Sequence, residues 1–344
     1  MQVNSNRPVI YWLLTGCLLI FIMVLVGGIT RLTNSGLSMV EWNLLMGSIP
    51  PLNEAEWLIA FEKYKQFPEY QMVNYHFTLE EFKPIFFWEY LHRVLGRLVG
   101  LVFIIPFIYF LVKKMISKEL LPKLLLLLFM GGFQGFLGWY MVKSGLNKDP
   151  DVSHFRLAMH LTTAFLTFAY TLWVALGLMY PNRVKGAFKS LKTGASFLLL
   201  ITVVQIVWGA FVAGLNAGKV YNTWPLMGDQ LVADAVTAMT PFWMNFVEGL
   251  AGVQFIHRYM AYAVVGLVIY LAVRAKKEKT NLSQQGGIKF LIGIVTVQFV
   301  LGIITLLLGV PVWLGVLHQI GALILLGAVV FVLHRFTYSP KLAD

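Results

Sequence analysis

The chain has 344 residues, 58% of them hydrophobic and only 12% charged, about half the charged share of an ordinary soluble domain. So apolar a chain cannot cover itself with polar side chains in water, which excludes the two or three soluble domains that length alone suggests. The net charge is +11, but the cations fall in short clusters between apolar runs, a pattern of membrane topology that excludes a phosphate-binding face and nucleic acid as a partner.

The first apolar run covers residues 9–30. It is longer than a signal-peptide core of roughly 7–15 residues and no A-x-A site follows, so it reads as a membrane helix. Cys17, the single cysteine, lies within it. One thiol cannot make an intramolecular disulfide, a CxxC pair or a zinc site, so Cys17 reads as a small apolar filler. Redox chemistry then needs a bound cofactor. A helix requires about 20 apolar residues to cross the hydrocarbon core, and seven more runs qualify: 86–112, 121–142, 155–180, 195–215, 246–273, 288–309 and 312–333. The second, fourth and sixth spans are long and polar in their early turns, as expected of helices that project beyond the lipid or line a cavity.

Basic residues orient the spans. Lys113, Lys114, Lys118 and Lys123 lie between spans two and three, and Arg183, Lys185, Lys189 and Lys192 between four and five. Arg274, Lys276, Lys277 and Lys279 lie between six and seven, and Arg335 and Lys341 follow span eight. All these segments share one side, which the positive-inside rule makes cytoplasmic, with both termini. The opposite loops are long and poorer in Lys and Arg.

The chain repeats itself. Gly27, Asn34, Gly36, Trp42 and Leu44 match Gly209, Asn216, Gly218, Trp224 and Leu226. His92-Arg93 matches His257-Arg258, while Gln134, Leu137 and Gly138 match Gln298, Leu301 and Gly302. His160 matches His318. Four spans return the chain to its starting side, so the two halves form a parallel repeat. The expected fold is all-α and integral to the membrane: eight transmembrane helices as two parallel-repeat four-helix bundles, residues 1–182 and 183–344. The repeated glycines read as sites of close helix packing.

Of seven histidines, His76 and His154 fall in outer loops and His334 near the inner end of span eight; these read as solvated or interfacial. His92, His160, His257 and His318 each lie about five to eleven residues from the outer end of a span, at similar depth. Ionisable residues there are costly and mark function. Zinc would need four clustered ligands, and copper would need a Cys or Met companion at ligand spacing. Haem iron takes one imidazole per axial face, and a porphyrin fits between bundle helices. The expectation is one haem site per half, His92 with His160 and His257 with His318. Glu89 precedes His92 by three residues, where the second half has Gln254. A carboxylate can exchange a proton or steer water, whereas an amide only hydrogen-bonds. Arg93 and Arg258 are candidates for pairing with haem propionates.

The motifs GGITRLTNSGLSMVEWNLLMGSIPPLN after span one, EYLHRVLGR in span two, and QFIHRYMAY and LGVLHQIGA in the second half resemble the haem A synthase family over nearly the whole chain. That resemblance implies an oxidoreductase that converts the methyl group at position 8 of haem O to a formyl group, through the alcohol and with oxygen from water. It implies a haem b cofactor on His257 and His318, substrate haem on His92 and His160, and a catalytic role for Glu89. The implied setting is the bacterial inner membrane, with haem O synthase and terminal-oxidase assembly factors as partners; the residues do not name the electron acceptor. One branch of the family has a cysteine pair in its outer loops. This chain lacks it and resembles the cysteine-free branch that includes the mitochondrial enzymes. The competing reading, a transmembrane di-haem b-type electron carrier, places haems near opposite faces, whereas these four histidines lie near one.

Overall fold

The computed structural model describes residues 6–40, 49–147, 150–181, 183–185, 188–278 and 280–340. Trp42 and Leu44 of the repeat and Lys279 and Lys341 of the basic clusters lie outside the described residues. So do the side chains of Arg183 and Lys185. The α-helices are α1 (Arg7–Leu32), α2 (Glu54–Tyr64), α3 (Pro68–Met72), α4 (Leu79–Val112), α5 (Leu121–Gly145), α6 (His154–Met179), α7 (Lys189–Gly214), α8 (Leu250–Lys277), α9 (Leu282–Leu307) and α10 (Val312–Thr337). Eight of them, all but α2 and α3, are long and apolar enough to cross a membrane. The fold class expected from the sequence is therefore the one observed, and the chain is a multi-pass membrane protein. A short antiparallel pair, β1 (Arg183–Lys185) with β2 (Tyr338–Pro340), joins the segments that follow α6 and α10.

Local chemistry explains where the helices begin. Pro8 and Pro122 sit in the first turns of α1 and α5, where a missing N–H costs nothing. α4 starts seven residues before the expected boundary of 86, because Thr78 and Glu81 form a capping box at Leu79. Its early turns are covered by α2 and α3 through an aromatic cluster. There Tyr64 stacks on Phe82 at 5.0 Å and Trp57 meets Phe86 edge-on at 5.1 Å. α8 starts at Leu250, not 246, because the apolar stretch Phe242–Phe246 forms a 3-10 turn. Asn245 pins that turn by donating to the carbonyls of Met239 and Phe242.

α1, α4, α5 and α6 pack in a ring, each touching the next, and α7, α8, α9 and α10 do the same. The rings meet where α1 and α6 face α7 and α10. α1 and α7 both end in an asparagine with positive φ, Asn34 at 50° and Asn216 at 54°, the left-handed turn that closes a helix C-terminus. Lipid offers apolar side chains no less than a helix does, so close packing must hold the rings. Leu191, Leu198, Leu271, Leu291 and Val329 pack together, fully buried, in the second ring.

Candidate functional site

Each of the four deep histidines faces a glycine on the preceding membrane helix. A methyl group placed on Gly27 of α1 would lie 3.0 Å from Cε1 of His92 on α4. The same holds for Gly138 of α5 and His160 of α6 at 3.2 Å, and for Gly209 of α7 and His257 of α8 at 3.0 Å. For Gly302 of α9 and His318 of α10 the distance is 2.8 Å. The repeated glycines therefore do more than let helices approach. They are cradles for imidazole rings.

Four residues before three of these glycines stands a second contact. Gln134, Gln205 and Gln298 each donate Nε2 at 2.8 Å to the main-chain carbonyl of the histidine opposite: His160, His257 and His318. The corresponding residue before Gly27 is Met23. This Gln-x-x-x-Gly pattern occurs three times in the sequence, and sequence reasoning gave it no role. Nδ1 of His257 also lies 3.2 Å from the main-chain oxygen of Gln205. An N–H on Nδ1 there leaves Nε2 free to ligate.

The histidines approach in the expected pairs. The rings of His257 and His318 are 6.2 Å apart, centre to centre. That spacing would leave room for a metal ion held by one nitrogen of each ring, at about 2 Å per bond. His92 and His160 are close enough to interact electrostatically. Among the described residues no three His, Cys, Asp or Glu side chains gather, so the donor set suits an iron whose other four ligands come from a porphyrin, not a zinc tetrahedron. Pairs of imidazoles in glycine cradles fit haem.

The two pairs are joined through α1. Gln319, next to His318, donates Nε2 to the carbonyl of Val24 at 2.9 Å and lies against Gly28, the neighbour of the Gly27 cradle.

Glu89 is buried and bonded on both oxygens. Oε2 accepts from the Ser38 hydroxyl and the Met39 N–H, both at 2.8 Å. Oε1 pairs with Arg93 at 2.5 Å, and Arg93 also donates to the Met39 carbonyl at 2.7 Å. In the second half Arg258 donates to the carbonyls of Leu226 and Tyr221, and Gln254 donates to Tyr221. Met39 and Tyr221 are separated by the 182-residue offset of the repeat. In each half, then, an arginine one residue after the histidine clamps the outer loop. Both guanidinium groups proposed for propionates donate to loop carbonyls.

The three peripheral histidines separate. His76 is exposed. His154 is instead buried in the first turn of α6, with Nε2 2.9 Å from the carbonyl of Val247. His334 is fully buried, its ring 5.0 Å from Trp173 and 5.1 Å from Tyr338, so it is not solvated. Above the first ring, Glu69 of α3 is buried and accepts from the Tyr64 hydroxyl at 3.0 Å. Burial, reinforced by nearby Glu89 and Asp151, pushes its carboxyl up to about 8.

The family model described as cytochrome oxidase assembly protein, COX15-CtaA, matches residues 10–330, a stretch that includes all four deep histidines. The chain belongs to this family. Relatives named heme A synthase are similar over almost their whole length. The one from Flavobacterium psychrophilum is 56% identical across 97% of this chain and 99% of its own. That from Flavobacterium johnsoniae is 52% identical with the same coverage, and that from Rhodospirillum centenum is 47% identical across 96% of this chain and 88% of its own. In this COX15-CtaA chain, the glycine cradles, the glutamine contacts and the loop clamps all sit within the matched residues.

Proposed function

We propose that the protein is a haem A synthase, an oxidoreductase that converts the methyl group at position 8 of haem O, through the alcohol, to the formyl group of haem A. The observation that carries this reading is the presence of two cradled histidine pairs in a chain that matches relatives of that name end to end. Residues 1–182 receive haem O on His92 and His160, and residues 183–344 hold haem b on His257 and His318. When bound, haem b supplies a redox centre beside the substrate site. The four histidines favour this over an electron carrier that spans the bilayer. His160 and His318 lie six residues into α6 and α10 and His257 seven into α8, while His92 lies thirteen into α4, whose first seven residues precede its apolar run, so all four fall toward the same ends of parallel helices.

Each hydroxylation with water as oxygen source leaves two electrons and two protons to be removed. Glu89, one turn from His92, is the group proposed to take up protons. Arg93, Ser38 and Met39 hold its carboxylate in place. The protein lies in the bacterial inner membrane with both termini in the cytoplasm, a placement supported by the basic segments on one side. Haem O synthase as donor and terminal-oxidase assembly factors as recipients are the partners this chemistry implies.

The test is co-expression with a haem O source in a host that makes no haem A, followed by extraction and identification of the haems. Haem A, together with haem b, is the expected result. Unmodified haem O with haem b alone rejects the synthase reading and leaves a haem carrier.

A further inference from the structure

The four histidine positions form an internal experiment, because the same contact is made three times and omitted once. On α5, α7 and α9 a glutamine four residues before the cradle glycine donates to the carbonyl of the facing histidine. Gln298 also reaches Nδ1 of His318, at 3.1 Å. On α1 that place is taken by Met23, whose methyl group lies against Gly96 of α4, one turn inward from His92. A thioether has no N–H to donate, and its unbranched chain adapts to movement of its neighbours. Two further hydrogen bonds between α1 and α4 avoid the carbonyl of His92. The Thr30 hydroxyl reaches Trp88 O at 3.3 Å, and Trp12 Nε1 reaches Val102 O at 2.8 Å. The ring of His92 is cradled like the others, but among the described residues the helix stretch that bears it lacks the glutamine bond that fixes the other three.

We infer that Met23 is a positioning residue that makes His92 the releasable ligand, so that haem exchanges at the first histidine pair by local separation of α4 from α1, while Gln205 and Gln298 lock the second pair. The inference rests on the reading that the first pair receives the substrate haem. A synthase must release its product, whereas a cofactor site gains from retention. The repeated scaffold meets the two demands by one side-chain difference between its halves: a methionine at the first helix of one and a glutamine at the first helix of the other.

The test uses purified holoprotein and measures how fast haem leaves each site when excess apomyoglobin is added as acceptor. His92→Ala and His257→Ala assign each kinetic phase and each low-spin spectrum to a site. An interhelical hydrogen bond within a membrane changes such a rate by roughly three- to tenfold. Met23→Gln is expected to slow haem loss from the first pair by that factor, and Gln205→Met to speed loss from the second. Met23→Leu, which adds no donor, is expected to exchange like the parent and keeps the result interpretable should Met23→Gln misfold. If Met23→Gln leaves the rate unchanged, or Met23→Leu slows it equally, the inference is overturned. If the fast phase survives His92→Ala, the assignment of substrate haem to the first pair fails instead.

Discussion

Gly302→Ala puts the cradle to its sharpest test. In the middle of a helix, Gly→Ala ordinarily stabilises by about 0.5–1 kcal/mol, because alanine loses less backbone entropy. At position 302 the added methyl would lie 2.8 Å from Cε1 of His318, about 0.6 Å inside the 3.4 Å at which ordinary contact begins. The ring cannot simply swing aside, since Gln298 touches its Nδ1 and also holds its main-chain carbonyl. Overpacking of this kind costs about 1–3 kcal/mol, and a ligand set tolerates displacements of only about 0.5 Å. The expected outcome is a folded protein with haem b lost or converted from low-spin to high-spin. Gly293→Ala, on the same helix with nothing within 4 Å of the added carbon, should keep the spectrum and melt no lower than the parent. Haem content per protein and the absorption spectrum provide the measurement. Full low-spin haem b in Gly302→Ala would refute the cradle.

His257→Ala and His318→Ala should each abolish the low-spin haem b spectrum in purified protein, and its persistence in both variants would remove these residues as ligands. Glu89→Gln should lower haem A yield per folded protein by about 10²–10⁴-fold, the range for a lost acid–base group, with haem binding retained; near-normal yield would end its catalytic role. Burial raises the pKa of Glu69 to about 8, so its protonated form is stabilising. That stability is full below the unfolded value of 4.5 and is lost as pH rises toward 8. Glu69→Gln should therefore flatten the fall in melting temperature between pH 5 and pH 8, and an unchanged slope would show that the carboxyl is not responsible. A C-terminal reporter should be active only in the cytoplasm, and activity outside would overturn the topology.

The spans were legible because crossing a bilayer demands long apolar runs, which single-sequence reading detects directly. The start of α4 was not, since residues 79–85 interleave charged residues with Leu79, Phe82 and Ile85, which pack in the aromatic cluster with α2 and α3. The four deep histidines stood out by depth and repetition, but their cradles did not. A glycine facing an imidazole on another helix looks, in sequence, like any packing glycine. The thrice-repeated Gln-x-x-x-Gly spacing was a visible signal without an evident meaning, because its partner is a carbonyl that every residue possesses. His334 was misread for a related reason: Trp173, one of the rings that bury it, lies on α6, far from it in sequence, and Tyr338, four residues on, carries no sign in sequence that it folds back over the ring.

The Glu89–Gln254 difference gains meaning from what the two residues share. Both lie three positions before a histidine and belong to a clamp in which an arginine holds the carbonyl of an outer-loop residue, Met39 or Tyr221. The second half performs that structural task with an amide, so a carboxylate is not required to close the loop. Removing one partner of a buried ion pair can cost about 3–5 kcal/mol, and Glu89 is paired with Arg93, so Glu89→Gln alone could confuse stability with chemistry. The second half supplies the control, since Arg258 is held by carbonyls beside a neutral Gln254. The converse change, Gln254→Glu, offers Arg258 a carboxylate in the geometry of the first half. If the acid serves only to hold the loop, Gln254→Glu should stiffen the second half much as Glu89 does the first, and a folded Glu89→Gln should keep its turnover. If the acid handles protons, turnover falls in Glu89→Gln even where the clamp survives, and Gln254→Glu does not restore it, because the carboxylate then stands beside the wrong haem.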